Sequence, residues 1–324
     1  MPDASSNQNR GYSAAHFTLQ LEGFQAGILK SIEGGAVHTE VMTYQGNGGP
    51  PPFVRYRQLG KPKYDDIKIT AGMAVSEKLF QWISDFFSGS PTRKDGAIIA
   101  SDFYYKERAR RTFTNALIKE FTFPKLEGSD KGPAYMTVTL AVEDIQFSTK
   151  QQGQGDAILD TFAMQTQKSW KACNFKFEID GAKGIAGAAK RVMKIDSFTV
   201  KQNIAEYHMG GFLAPTKTPT VVDTPNLVFY VPEADAQPFF DACTNNNGLA
   251  VKNNATPSPV HGRLVVCDNS MAEVFQLEFS QANIFSVTPD RSDSTSEEIK
   301  QVKVEVYTEI MKFKYLLKPS PTVA

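Results

Sequence analysis

The sequence predicts a mainly β chain, α+β in class, built as two tandem β-barrel or sandwich domains with one short helix each. Three observations predict it: the chain repeats itself, its apolar residues alternate over most long segments, and a helical stripe occurs once per copy. The segment Phe17-Thr18-Leu19-Gln20-Leu21-Glu22-Gly23 is echoed by Phe175-Lys176-Phe177-Glu178-Ile179-Asp180-Gly181, at an offset of 158. Asp102, Phe113, Ala116, Ile118 and Phe147 match Asp268, Phe279, Ala282, Ile284 and Phe313, each at an offset of 166. An offset held over about 45 residues of low identity requires every insertion to cancel, which marks a duplicated domain with length changes confined to its connections. A chain of 324 residues is also long for one core. The expected division is a first domain over 1–150, a linker over 151–170 and a second, divergent domain over 171–324.

Taken in order, Phe17–Leu21 alternates apolar and polar residues as a half-buried strand does. The run Gly46, Asn47, Gly48, Gly49, Pro50, Pro51 and Pro52 joins backbone freedom to missing amide donors and cannot be regular structure. It reads either as a disordered hairpin tip or as an assembly arm that orders against a neighbouring subunit. Val75–Phe87 changes period, placing Leu79, Phe80, Ile83, Phe86 and Phe87 on one helical face, with Ser76 as N-cap and Gly89 as a stop. That stripe puts Phe86 in the core and leaves Trp82 at the margin. Ile98-Ile99 and Arg110–Asn115 are strand-like, and Met136–Val142 alternates β-branched residues.

Lys150-Gln151-Gln152-Gly153-Gln154-Gly155 reads as linker, and Asp156–Lys168 as a short helix. In the second copy, Gly181–Gly187 reads as an inserted flexible loop and Glu233–Cys243 as a weaker helix interrupted by Pro238. Leu264–Val266, Val274–Phe279 and Val302–Tyr307 are strands that match those of the first copy. Strands around one short helix favour two packed sheets or a squat barrel.

Charge and chemistry narrow the function. The net charge is zero, with +2 on residues 1–150 and −2 on the rest, which suits neither a basic nucleic-acid clamp nor an acidic tail. No apolar run nears the ~20 residues that span a bilayer, and Met1–Arg10 is too polar for a signal peptide. A soluble protein made in the cytoplasm is expected. Cys173, Cys243 and Cys267 read as reduced core thiols. His16, His38, His208 and His261 lack metal-ligand spacing, and no nucleophile elbow or phosphate loop occurs. No catalytic, cofactor-binding or metal residue is expected, and an enzyme finds no positive support. Lys106, Arg108 and Arg110 would share one face of a strand. They form either a solvated outer face or a basic seam for a neighbour or a passing polymer such as DNA.

Tyr56-Arg57-Gln58-Leu59-Gly60-Lys61-Pro62-Lys63-Tyr64, Ile67–Met73 and the Leu79-Phe80-Gln81-Trp82 helix resemble the tail tube proteins of contractile-tailed phages and contractile injection systems. Arg93–Ile99, Phe113–Ala116 and Ile32-Glu33-Gly34-Gly35 are similar to the same family, so the resemblance runs from about Phe17 to Phe147. The second copy resembles it mainly through the first and lacks a counterpart of Leu59–Tyr64. The resemblance implies two tube-type β-barrels in a structural subunit whose rings stack into a hollow conduit inside a phage tail or injection particle. It also implies a homo-oligomer, as a hexamer or a pseudo-hexameric trimer. Other tube subunits, a sheath, a baseplate or a spike hub would be its partners, with cargo or DNA in the lumen. A tube-to-baseplate hub, a terminating adaptor, or an effector or carrier that borrowed the fold are the alternatives.

Overall fold

The computed structural model describes residues 16–45, 55–151, 155–158, 170–211, 215–244, 259–290 and 299–316. The first unit opens with β1 (His16–Leu21) and β2 (Phe24–Gly34), followed by the hairpin β3 (Val37–Gln45) and β4 (Arg55–Tyr64). It continues through β5 (Ile67–Val75), α1 (Glu77–Phe87), β6 (Lys94–Ser101), β7 (Glu107–Phe123), β8 (Leu126–Glu127), β9 (Met136–Ala141) and β10 (Asp144–Thr149). The order β7-β6-β1-β2-β5-β9 returns to β7, so six strands close into a barrel. Glu22 and Gly23 link β1 to β2 with φ of 49° and 82°, the left-handed pair that a tight two-residue hairpin requires.

The second unit comprises β11 (Phe175–Asp180), α2 (Ile185–Ala189), β12 (Lys194–Ile195), the hairpin β13 (Phe198–Tyr207) and β14 (Thr216–Asp223), and β15 (Leu227–Pro232). A 3-10 turn at Glu233–Asp235 leads into α3 (Gln237–Asp241), then β16 (Val260–Cys267), β17 (Glu273–Pro289) and β18 (Gln301–Tyr315). Its strands form an open half-barrel, β11-β16-β17-β18-β15-β12, extended by β8 of the first unit. The expected weak helix is therefore broken in two ahead of Pro238. The Gly181–Gly187 loop is partly helical, with Ile185 buried beneath α2.

The duplication is written into the strand register. Gly96 pairs with Phe113 and Gly262 with Phe279, while Ala100 pairs with Ala109 and Val266 with Phe275. Each member of the second pair lies 166 residues on. Phe17 against Ala100 and Phe175 against Val266 carry both sequence offsets in one ladder. Even the bulge recurs, one residue after Ala100 and one after Val266. The turns match too. Asp102 Oδ1 accepts from the amides of Tyr104 and Lys106, and Asp268 Oδ1 from those of Ser270 and Ala272. Tyr105 and Met271 take the strained left-handed position, with φ of 57° and 62°.

The two units do not fold as beads on a linker. β13 pairs with β7, β8 pairs with β12, and one hydrophobic cluster runs through both sheets. Helix α1 lies between them. Phe80 stacks on Phe313 and Tyr315, Phe87 stacks on Phe313, and Ser84 Oγ donates to the Phe313 carbonyl at 3.0 Å. The expected margin position of Trp82 is overturned: Trp82 and Phe86 are both 1% exposed. The connection after the helix folds over the indole, whose Nε1 donates to the Thr92 carbonyl at 2.8 Å, and the second sheet covers the rest of the helix. Most of the expected linker and helix, including 159–169, lies outside the described residues.

Candidate assembly surface

Two hairpins stand off the barrel and half-barrel at corresponding places in the repeat. β3–β4 forms a sheet of its own, and its apolar side chains Val41, Met42, Tyr44, Tyr56 and Leu59 are exposed. Tyr44 and Tyr56 stack across the two strands at 5.7 Å. A two-stranded ribbon with wet apolar faces on both sides is marginal alone, and contiguous exposed apolar surface marks an interaction site. β13–β14 is the counterpart in the second unit, and there β13 is already used, adding to β7 through Phe198–Lys201. The Gly46–Pro52 run, which connects β3 to β4, lies outside the described residues.

The basic seam is taken apart by the bulge. Ser101 pairs with Glu107 and Ala100 with Ala109, so Arg108 is the extra residue and the side-chain phase shifts there. Lys106 remains exposed. Arg108 is 7% exposed and lies 3.9 Å from Asp102. Arg110 forks onto the buried Glu107 at 2.9 and 2.8 Å and donates to Gln20 Oε1 at 2.7 Å. This fork holds the Glu107 carboxyl below its usual range and raises the Arg110 guanidinium. The three cations therefore do not share a stripe, and two of them serve the fold. Sequence reasoning missed this because strand alternation assumes an unbroken ladder; the signal was Asp102, which caps the turn that sets the bulge.

A cleft of about 640 Å³ lies over β11, β16, β17 and β18 and is lined by a row of alternating charge. Glu178 faces Arg263, which faces Glu278, which faces Lys312 across the four strands. Arg263 Nε donates to Glu178 at 2.7 Å and Lys314 to Glu278 at 2.7 Å, so the charges are compensated internally. A second cleft of about 470 Å³ holds the Glu107–Arg110 fork. His16 stacks on Tyr105 at 4.2 Å, and His38 lies 3.7 Å from Asp65. Among the described residues no group of three or more His, Cys, Asp or Glu could hold a metal, and no helix is long and apolar enough to cross a membrane. Cys267 is buried, which raises its thiol, whereas Cys173 and Cys243 are only partly covered.

The chain matches no curated protein. Among solved structures it is similar to a chain of the sheath-tube complex of the PVC extracellular contractile injection system, at 16% identity and a TM-score of 0.39, covering 46% of this chain and 100% of that one. It is similar also to a chain of the anti-feeding prophage tube-terminating cap, at 16% identity and a TM-score of 0.36, with the same coverage. A third, Hcp1 from Flavobacterium johnsoniae, gives 18% identity and a TM-score of 0.25 over 42% of this chain and 97% of that one. The family model described as T4-like virus tail tube protein gp19 matches residues 13–146, which is the segment that closes into the six-stranded barrel. The first unit is thus the part of this chain that matches the T4-like virus tail tube protein family.

Proposed function

We propose that this protein is a structural subunit of the inner tail tube of a contractile phage tail or contractile injection system, forming rings that stack into a hollow conduit. The match of the closed barrel to the tail tube family carries this reading. Edge-rich β units with a projecting apolar hairpin supply what such assembly needs, because joined edges satisfy strand donors and acceptors and ring closure stops open-ended growth. The role is structural rather than catalytic. The Gly46–Pro52 run is the contact between successive rings, and sheath, baseplate or spike hub are neighbours in the particle, with cargo or DNA in the lumen. A position as tube-to-baseplate hub or terminating adaptor is the second reading, favoured by the open second unit, which breaks the equivalence that unlimited stacking requires.

Negative-stain imaging of the purified protein tests the reading, with rings or short tubes expected. A ring mass of about 107 kDa means three chains of 35.8 kDa, and about 215 kDa means six. Deleting residues 46–52 should leave a folded protein whose rings no longer stack. A monodisperse monomer at the highest soluble concentration would refute the structural role.

A further inference from the structure

We propose that the contact joining the two units inside one chain is repeated between chains, with the second unit of one copy docking against Phe147 and Val37 on the first unit of another. It deepens the structural-subunit reading and rests on it for the expectation that copies associate at all.

Phe147 and Phe313 hold the same place in the repeat: Phe147 pairs with Arg111, and Phe313 pairs with Leu277, each 166 residues on. Phe313 is 2% exposed because α1 of the first unit lies over it through Phe80 and Phe87. Phe147 is 66% exposed. Its missing cover is the second unit's version of α1, namely α3. The amides of Phe80 and Phe240 donate to the carbonyls of Ser76 and Ala236, and both pairs differ by 160. Phe239 is buried in its own unit, as Leu79 is, while Phe240 is only half-buried. Phe240 is therefore the group that would lie on Phe147, as Phe80 lies on Phe313.

A different pair of strands gives the same answer. Val200 on β13 pairs with Phe121 and is fully buried. Ile195 against Phe229 corresponds to Ile32 against Ile69, so the place five residues on from each makes Val37 the counterpart of Val200. Val37 is 55% exposed. The counterpart of Phe121 is Val287, 166 residues on, where β17 is paired with β18 on one side. Both missing contacts run from the first unit of one copy to the second unit of another. Such a head-to-tail interface uses two different surfaces and grows into a closed ring of alternating units, or a filament where the rotation does not close. A ring of six units would hold three chains.

Trans-complementation tests this. Each interface needs one Phe147 and one Phe240, so Phe147→Asp alone and Phe240→Ser alone should each fall from the wild-type assembly to a single-chain mass of 35.8 kDa, read by sedimentation velocity. An equimolar mixture should form one-to-one pairs and stop there, since each variant supplies the surface the other lacks. Circular dichroism confirms folding, and Val287→Asp replaces Phe240→Ser where that variant unfolds. Wild-type-like assembly by either single variant overturns the interface while leaving the subunit reading intact, and so does a mixture that stays monomeric. A wild-type protein that never associates defeats both.

Discussion

Phe80→Ala measures how strongly the two units are joined. The ring is 1% exposed, and its aromatic partners all lie on the second sheet: Tyr315 at 4.4 Å, and Phe275 and Phe313 at 6.0 Å. Truncating a buried Phe costs about 3–5 kcal/mol. Aromatic pairs add about 0.5–1.5 kcal/mol each beyond buried area, which places this site at the upper end. With a urea slope of about 3 kcal/mol per molar, the midpoint should fall by roughly 1–1.7 M. The assay is equilibrium unfolding followed by fluorescence in two backgrounds. Trp170→Phe leaves Trp82 to report on the first unit. Trp82→Phe leaves Trp170, which packs on Phe123 of one unit and Phe275 of the other, to report on the junction. Because α1 is shared, both reporters should follow one transition. Two separate wild-type transitions, or a loss below about 1 kcal/mol in Phe80→Ala, would refute a common core.

Three further outcomes follow from the repeat. A Cβ on Gly262 would meet the Phe279 ring at 2.5 Å and overlap the Glu178 carbonyl, and one on Gly96 would meet the Phe113 ring and the Gln20 carbonyl, each at 2.5 Å. Gly262→Ala and Gly96→Ala should each lose about 1–3 kcal/mol in thermal melts, and a neutral effect would show that the rings move aside freely. Asp268→Ala removes one carboxylate oxygen that accepts from the Ser270 amide, the Ala272 amide and the Ser270 hydroxyl. It should cost about 1–3 kcal/mol by denaturant titration, and a smaller loss would mean that water replaces the cap. Glu107 has a depressed folded pKa, so its stabilisation is complete above its unfolded value of about 4.3 and is lost as pH falls through the folded value. Melting temperature against pH should therefore drop on the acid side, and Glu107→Gln should flatten that limb; an unchanged slope would remove Glu107 from the acid response.

Much of the first unit was legible from local pattern. The strands at Phe17–Leu21 and Met136–Ala141 and the Gly89 stop survive in the structure, because side-chain period and backbone chirality are properties of a few adjacent residues; Ser76 does precede the helix, but its hydroxyl makes no capping bond. The constant offsets reached further and anticipated the register itself. What failed depended on neighbours distant in sequence. Trp82 lies off the apolar stripe, yet it is covered because the next connection folds back on it and the helix is enclosed between units. Leu59–Tyr64 has no counterpart in residue identity, although β14 occupies its place, since a projecting hairpin conserves topology with few side-chain demands. The expected Lys106, Arg108 and Arg110 stripe is broken at the bulge, where Arg108 is the extra residue and the face alternation shifts between Lys106 and Arg110.

The difference between the units traces to one connection. In the first, two residues turn β1 into β2, so β2 pairs with β1 and the barrel closes. In the second, Gly181–Met193 intervenes between β11 and β12, and α2 occupies part of it. β12 is reduced to two residues that pair with β15 and with β8, leaving β11 paired with β16 and not with β12. Both hairpins reach outward, but β3–β4 of the closed unit forms a sheet of its own whereas β13 of the open unit joins β7. The open second unit is fused to the first through β12 on β8 and β13 on β7. A fusion of this kind uses one donor surface and one acceptor surface internally in each contact, leaving their counterparts around Phe147 and Val37 of the first unit exposed. On the proposed interface, a subunit with two unlike surfaces associates head to tail, so the divergence of the second copy would direct assembly instead of weakening it.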